Sequence, residues 1–320
     1  MSLPFELPVL SSGVALVASL AVAGSYVGSL YLFKSSRLVF ARPKTDGLRD
    51  AHERQRVPGE QWRNDPRVIK ARLTAVSLST ALCCALVFAL VWHAVPEHDA
   101  GLALETTLEF LGFAPDEQLF TPHLLTPLLF AGPLYVSYLD GSLPFQHLWS
   151  WQRSVKPIIS TWEGVRNYIV GPITEEINFR SCVIAVLLLG GFHPGRLVFT
   201  APLAFGIAHV HHAWDLYNRF GQTRQALQRA VITCLVQLTY TTLFGAFCTF
   251  LFLRTGSVLP TFTSHIFCNL YGLPNPVAAS QEHSHRRPMI WFMHFFGVVA
   301  FSFMLWPWSH YRDTRYYWEF

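Results

Sequence analysis

Four stretches of this chain are too long and too apolar for the interior of a water-soluble domain: Val9–Phe33, Leu73–Val95, Ala230–Leu253 and Met289–Trp308. About 20 mainly apolar residues cross the ~30 Å hydrocarbon layer of a bilayer as a helix. No water is available there, so every backbone polar group has to be bonded within its own segment. Shorter apolar stretches lie between them: Leu124–Tyr138 with Pro127 and Pro133, Gly171–Leu189, Leu197–Val210 with Pro202, and Gly256–Tyr271 with Pro260. Neighbouring helices can accommodate such prolines. Composition agrees, with 51% hydrophobic and 14% charged residues, against about 25% charged in a soluble domain. The expectation is an all-α polytopic membrane helix bundle of about eight transmembrane helices, residues 1–320 forming a single integral membrane domain. Ala21-Val22-Ala23 resembles a signal-peptidase site, but no Lys or Arg precedes it and the apolar run continues past it, so a first membrane helix is the better reading.

Charge placement orients the bundle. Residues 34–72 carry Lys34, Arg37, Arg54, Arg63 and Arg72 among many cations, with Glu53, Glu60 and Asp65 interspersed, and read as a basic cytoplasmic loop. Residues 96–121 contain acids, Glu97 to Glu117, and no Lys or Arg, which suits the opposite side. Pro144–Val170, with Trp149, Trp151, Trp162, Arg153 and Lys156, reads as a segment in the cytoplasmic interface. The net charge of +4 is modest and signals topology rather than nucleic-acid binding. The six cysteines form no C-x-x-C pair and read as small buried hydrophobes.

Against this apolar background, a few polar residues are conspicuous. Gly171–Leu189 opens with Glu175, Glu176 and Arg180 and then carries no charge. Ionisable groups at such depth tend to face a bundle interior or a wet cavity and are functional candidates. At α-helical spacing Glu176 and Arg180 share a face and can pair, while Glu175 points elsewhere. Phe205 and His209 are four apart on another stretch, as are His265 and Asn269 on a third. Tracing the topology brings all of them to similar depth near the cytoplasmic face. A carboxylate, two imidazoles and an amide in a partly dry cavity suit water-dependent acyl chemistry. Glu175 would take a proton from water, His209 would orient that water, and His265 and Asn269 would donate to the developing oxyanion. A zinc ion on Glu175, His209 and His265 is an alternative, although H-E-x-x-H is absent. Taken singly, each group also has a bland reading: a Glu–Arg lock between helices, a packed histidine, a His–Asn bridge, and solvated interfacial imidazoles at His211 and His212. A proton-coupled transporter would use the same carboxylate and histidines as a relay, but no internal repeat is visible.

These three motifs, Glu175-Glu176 with Arg180, Phe205 with His209, and His265 with Asn269, stand in the order found in the type II CAAX prenyl endopeptidases, the Ras-converting proteases, which the chain resembles over roughly 130–275. The resemblance implies that 130–275 is the catalytic core, with its chamber open to the cytoplasm. It implies an intramembrane endopeptidase of the endoplasmic reticulum that removes the terminal tripeptide from farnesylated or geranylgeranylated CaaX proteins such as small GTPases. Membrane lipid would be the other partner and no cofactor would be needed. Glu175 and His209 would activate water, His265 and Asn269 would hold the oxyanion, and Glu176, Arg180 and Phe205 would support the site. The family also has members proposed as scaffolds for lipidated proteins, which keeps a non-catalytic role open.

Overall fold

The computed structural model describes residues 3–41, 53–114 and 120–309. Arg42, Lys44 and Arg49 of the basic loop, and Asp116 and Glu117 of the acidic one, lie outside the described residues. Among the described residues there is no strand, and one isolated bridge joins Val39 to Gln61. The helices are α1 Ser12–Ser29, α2 Pro66–Ala94, α3 Ala100–Phe110, α4 Thr121–Leu129, α5 Ala131–Leu139, α6 Lys156–Ser160, α7 Trp162–Val165 and α8 Gly171–Glu176. They continue as α9 Val183–Leu189, α10 Pro194–Ala208, α11 His212–Arg219, α12 Arg224–Thr255, α13 Leu259–Tyr271, α14 Pro276–Glu282 and α15 Arg287–Ser309. The protein is an all-α membrane helix bundle. Among the described residues four helices, α1, α2, α12 and the helix ending at Ser309, are long and apolar enough to cross a bilayer on their own. Their outward surface is apolar, with Leu243 68% and Phe303 74% exposed. Such surface is tolerated where the solvent is lipid.

Two compact units emerge, one from residues 108–176 and 251–309 and one from 3–107 and 177–250. In the first, α15 lies along α4 and α5, and α13 packs on α4 and α8. The stretch Leu124–Tyr138 is two helices rather than one, meeting at Phe130. Pro133 has no N–H for the Leu129 carbonyl, and its ring crowds that carbonyl, so the break falls one turn before it. Gly297 lets α15 approach closely; a Cβ there would sit 2.8 Å from the Leu129 carbonyl oxygen, the small-residue contact expected between membrane helices. Thr126 donates to Ser264 at 2.8 Å, and Phe130 meets Phe267 edge-on with centroids 5.5 Å apart, which together fix the roll of α13.

In the second unit α9 is the core. Every residue from Val183 to Leu189 is buried, and α1 and α10 pack against it. The Leu189 carbonyl at its end accepts from the Val9 and Leu10 N–H groups at 2.8 and 3.0 Å. Asn178 donates to Thr80 of α2 at 2.5 Å, a buried polar clamp in an apolar setting. The described part of the basic loop is ordered by ion pairs that the sequence does not announce. Arg54 and Glu60 are both buried and meet at 2.5 Å, while Arg54 also donates from its backbone N–H to the Arg219 carbonyl and from Nε to the Asn218 carbonyl at 3.0 and 2.9 Å. Arg219 meets Glu53 at 2.6 Å, and Arg56 pairs with Asp65 just ahead of α2. Glu53 and Arg54 are thereby tied to the end of α11, and the Arg219 guanidinium lies 5.9 Å from the Trp62 ring centroid.

Burial alone would raise the Glu60 carboxyl. The Arg54 hydrogen bond, the N–H groups of Val57 and Ala41 and the Trp62 indole outweigh it and hold the group at about 2. Its contribution to stability is therefore fully present above its ordinary 4.5 and is lost as pH falls toward 2. Glu60→Gln leaves a buried guanidinium without its counter-charge, and the expected cost at neutral pH is about 3–5 kcal/mol. Thermal unfolding in detergent should show the gap between wild type and variant closing as pH is lowered through that window; a gap independent of pH would refute the assignment.

Candidate active site

The two adjacent carboxylates stand on α8, a helix of six residues bracketed by π-helical turns at Arg166–Val170 and Ile177–Cys182. Such i→i+5 turns are rare and concentrate at functional sites. They rotate successive side chains away from the α-helical register. The winding between Glu176 and Arg180 is π rather than α. Within the first unit the buried partner of Glu176 is His265, on α13. Its Nδ1 lies 2.6 Å from Glu176 Oε1, and Glu176 has no exposed side-chain surface. The other ring nitrogen, Nε2, lies 3.7 Å from Glu175 Oε2. That separation exceeds a hydrogen bond. Glu175 keeps 24% of its side chain exposed, so its carboxylate remains open to a further partner. Asn269, one turn beyond His265 and exposed, donates through Nδ2 to the Asn167 carbonyl at 2.8 Å. An amide nitrogen carries two hydrogens, so one holds the side chain and one is left to donate elsewhere.

The other motif residues belong to the second unit. Arg180 is 1% exposed and lays its guanidinium 4.0 Å over the Phe205 ring centroid, with Phe244 at 5.9 Å. Phe205 meets Phe179 edge-on at 5.2 Å and Tyr26 continues the chain of rings at 5.7 Å. It also meets His209 at 4.7 Å, the four-residue spacing read from the sequence. His209 ends α10, and its Nδ1 donates to the Phe205 carbonyl at 2.8 Å. A carbonyl can only accept, so a neutral His209 carries its proton on Nδ1 and presents Nε2 as an acceptor. Beyond it, His211 donates from Nδ1 to the Ala208 carbonyl at 2.7 Å, and His212 faces Gln237 at 3.3 Å. These two are half-buried rather than solvated. Burial outweighs the Ala208 bond and, with repulsion from Arg72, His209 and Arg63, brings His211 down to about 4; burial likewise holds His212 well below the ordinary histidine range.

Sequence reasoning singled out every one of these motif positions but missed two supports, the Asn167 carbonyl and the Asn178–Thr80 clamp. A backbone carbonyl leaves no trace in a side-chain pattern. Asn178, inside an apolar run one residue before Phe179, was a visible signal.

Known proteins resemble this chain along most of its length. Residues 157–271 match the family model of the Rce1-like type II CAAX prenyl endopeptidases. A "Probable CAAX prenyl protease 2" of Schizosaccharomyces pombe is 32% identical over 284 residues, covering 88% of this chain and 88% of its own. "CAAX prenyl protease 2" of Homo sapiens is 34% identical over 309 residues, 94% of this chain and 82% of its own, and that of Arabidopsis thaliana is 34% identical over 203 residues, 58% and 61%. No solved structure matches the chain significantly. An all-α membrane bundle with paired carboxylates and imidazoles is thus joined by similarity along most of its length to a family of hydrolases. The chain belongs to the type II CAAX prenyl endopeptidases.

Phe205 supports both the Arg180 guanidinium and the His209 ring. Phe205→Leu is expected to lower stability by about 1–3 kcal/mol, and to reduce turnover more than it raises KM, because His209 loses its seat. Thermal unfolding alongside peptide cleavage tests this, and unchanged turnover in a destabilised variant would contradict the second part.

Proposed function

We propose that this endopeptidase hydrolyses the peptide bond after the prenylated cysteine of CaaX proteins, releasing the last three residues, with substrates that include farnesylated or geranylgeranylated small GTPases. Glu175 acts as general base on water and His209 orients that water through Nε2. His265 and Asn269 donate to the oxyanion that forms at the scissile carbonyl. The observation that carries the reading is the placement of His265 between two carboxylates, one sealed and one open to solvent.

The chemistry follows from where protons can sit. A 2.6 Å contact between Nδ1 and a carboxylate oxygen needs a proton between them. If Glu176 is ionised and the ring cationic, Nδ1–H donates to Glu176 and Nε2–H is free to donate. If Glu176 is protonated and the ring neutral, the acid donates to Nδ1 and Nε2–H is again a donor. Both forms hold the same two protons, and the oxyanion role requires them: with one proton fewer, Nδ1–H still donates to an ionised Glu176 and Nε2 is an acceptor. In the doubly protonated pair His265 presents a donor at Nε2. An oxyanion donor is typically worth about 3–4 kcal/mol of barrier. Glu175, 3.7 Å from Nε2 and partly exposed, retains lone pairs for water. This route needs no metal. The enzyme works from the endoplasmic reticulum membrane with its site toward the cytoplasm, where a prenyl chain gaining about 0.8 kcal/mol per buried CH₂ delivers the substrate's tail.

Purified, reconstituted protein should release the tripeptide from a farnesylated C-a-a-X peptide and not from its unprenylated twin. Glu175→Gln, His209→Ala and His265→Ala should each reduce kcat/KM by at least about a hundredfold. Activity that survives a chelator supports the glutamate route; activity abolished by it and restored by zinc would replace that route with a metal-assisted one. Wild type that binds the prenylated peptide and cuts nothing would make the protein a scaffold.

A further inference from the structure

Two residues beyond His209 the chain turns into α11, and here the second unit gathers positive charge that the hydrolytic chemistry does not use. The rings of His209 and His212 lie 5.6 Å apart and those of His211 and His212 4.3 Å. His211 and His212 are held neutral at physiological pH by burial, so the charge comes from arginines. Arg54, twelve residues ahead of α2, bonds to the Arg219 and Asn218 carbonyls at the end of α11. Arg72, on the second turn of α2, acts electrostatically on His211 and on Asp215 of α11; Arg63 acts on His211, His212 and Arg72.

Arg72 is 8% exposed. Its Nε donates to the Ser36 carbonyl at 2.8 Å, while Nη2, sealed from solvent, has no hydrogen-bond acceptor. Asp215 does not supply one: its Oδ2 accepts from Arg219 at 3.3 Å, and its buried Oδ1 bonds to nothing. A buried guanidinium with an unused donor is costly. It is well suited to an anion that completes it, because the planar fork matches a carboxylate.

We propose that Arg72, reinforced by the charge of Arg63, binds the free α-carboxylate at the substrate's C-terminus. The inference rests on the endopeptidase reading above and deepens it. Three residues separate the scissile bond from that carboxylate, and extended they span at most about 10 Å. Holding the chain end at a fixed distance from His209 makes the site a ruler that counts back from the carboxylate. That would explain why a tripeptide, and no other length, is released.

The test uses full-length Glu175→Ala protein, which binds without cutting, reconstituted in neutral-lipid vesicles. Two farnesylated C-a-a-X peptides are titrated, one with a free C-terminal carboxylate and one amidated. With Arg72 intact the acid should bind at least about tenfold more tightly than the amide. Arg72→Gln should erase that preference and leave amide affinity within about twofold, and Arg72→Lys should restore part of it. Equal binding of acid and amide with Arg72 intact, or a Gln variant that weakens both alike, overturns the proposal while leaving the endopeptidase reading in place. An Arg72 effect seen only on binding to anionic phospholipid vesicles, with no acid preference, assigns the cluster to a lipid headgroup and likewise overturns it. If neither peptide binds and folded wild type cleaves no prenylated peptide, the endopeptidase reading fails and takes the inference with it.

Discussion

The hydrogen bond between Glu176 and His265 joins a fully sealed carboxylate to an imidazole at 2.6 Å, and the arrangement around it follows from the cost of that burial. A carboxyl group with no solvent contact must be matched, or it destabilises the fold by several kcal/mol. The match fixes the rotation of α13 relative to α8, which sets Nε2 of His265 toward Glu175 and places Asn269 one turn on, against the Asn167 carbonyl. The π turns on either side of α8 serve the same geometry. In a regular α-helix two adjacent glutamates point about 100° apart. Here both carboxylates face the same imidazole, Glu176 bonded to Nδ1 at 2.6 Å and Glu175 3.7 Å from Nε2.

Much of this was legible in the sequence. Apolar runs marked α1, α2, α12 and α15, because length and hydropathy alone decide whether a helix suits a bilayer. Leu124–Tyr138 reads as one span with its prolines accommodated, and the chain instead breaks at Phe130 because Pro133 cannot bond the Leu129 carbonyl. The spacing of Phe205 and His209 was read correctly because α10 is regular there, and their rings do meet. His265 as a partner of Glu176 could not be read, since the two stand 89 residues apart, and neither could the π winding of Ile177–Cys182. No residue in Ile177–Cys182 forces that winding. It is a tertiary outcome, settled by Asn178 reaching Thr80 and Arg180 lying on Phe205. The basic loop was read as a charge signal for topology. Its described part is held by Arg54, Glu60, Glu53 and Arg219, whose pairing follows from the tertiary structure.

Membership of the type II CAAX prenyl endopeptidases gives the reaction class, and the residue chemistry suggests how this chain performs it. Each imidazole is held at Nδ1, His209 by the Phe205 carbonyl and His265 by the Glu176 carboxyl group. Arg72 would add a third element, a buried positive charge that reads the end of the substrate chain. The cost of burying these groups is offset by apolar packing elsewhere, most densely in α9, where every residue is buried.

The claim that Glu176 acts through His265 is tested most directly by a double-mutant cycle on cleavage of a farnesylated C-a-a-X peptide, comparing wild type, Glu176→Leu, His265→Ala and the double variant. If Glu176 serves to hold a proton on His265, the double variant will be no slower than His265→Ala alone, a coupling as large as the Glu176 effect itself. If the two losses multiply, the residues act independently, and the hydrogen bond between them is not what organises the site.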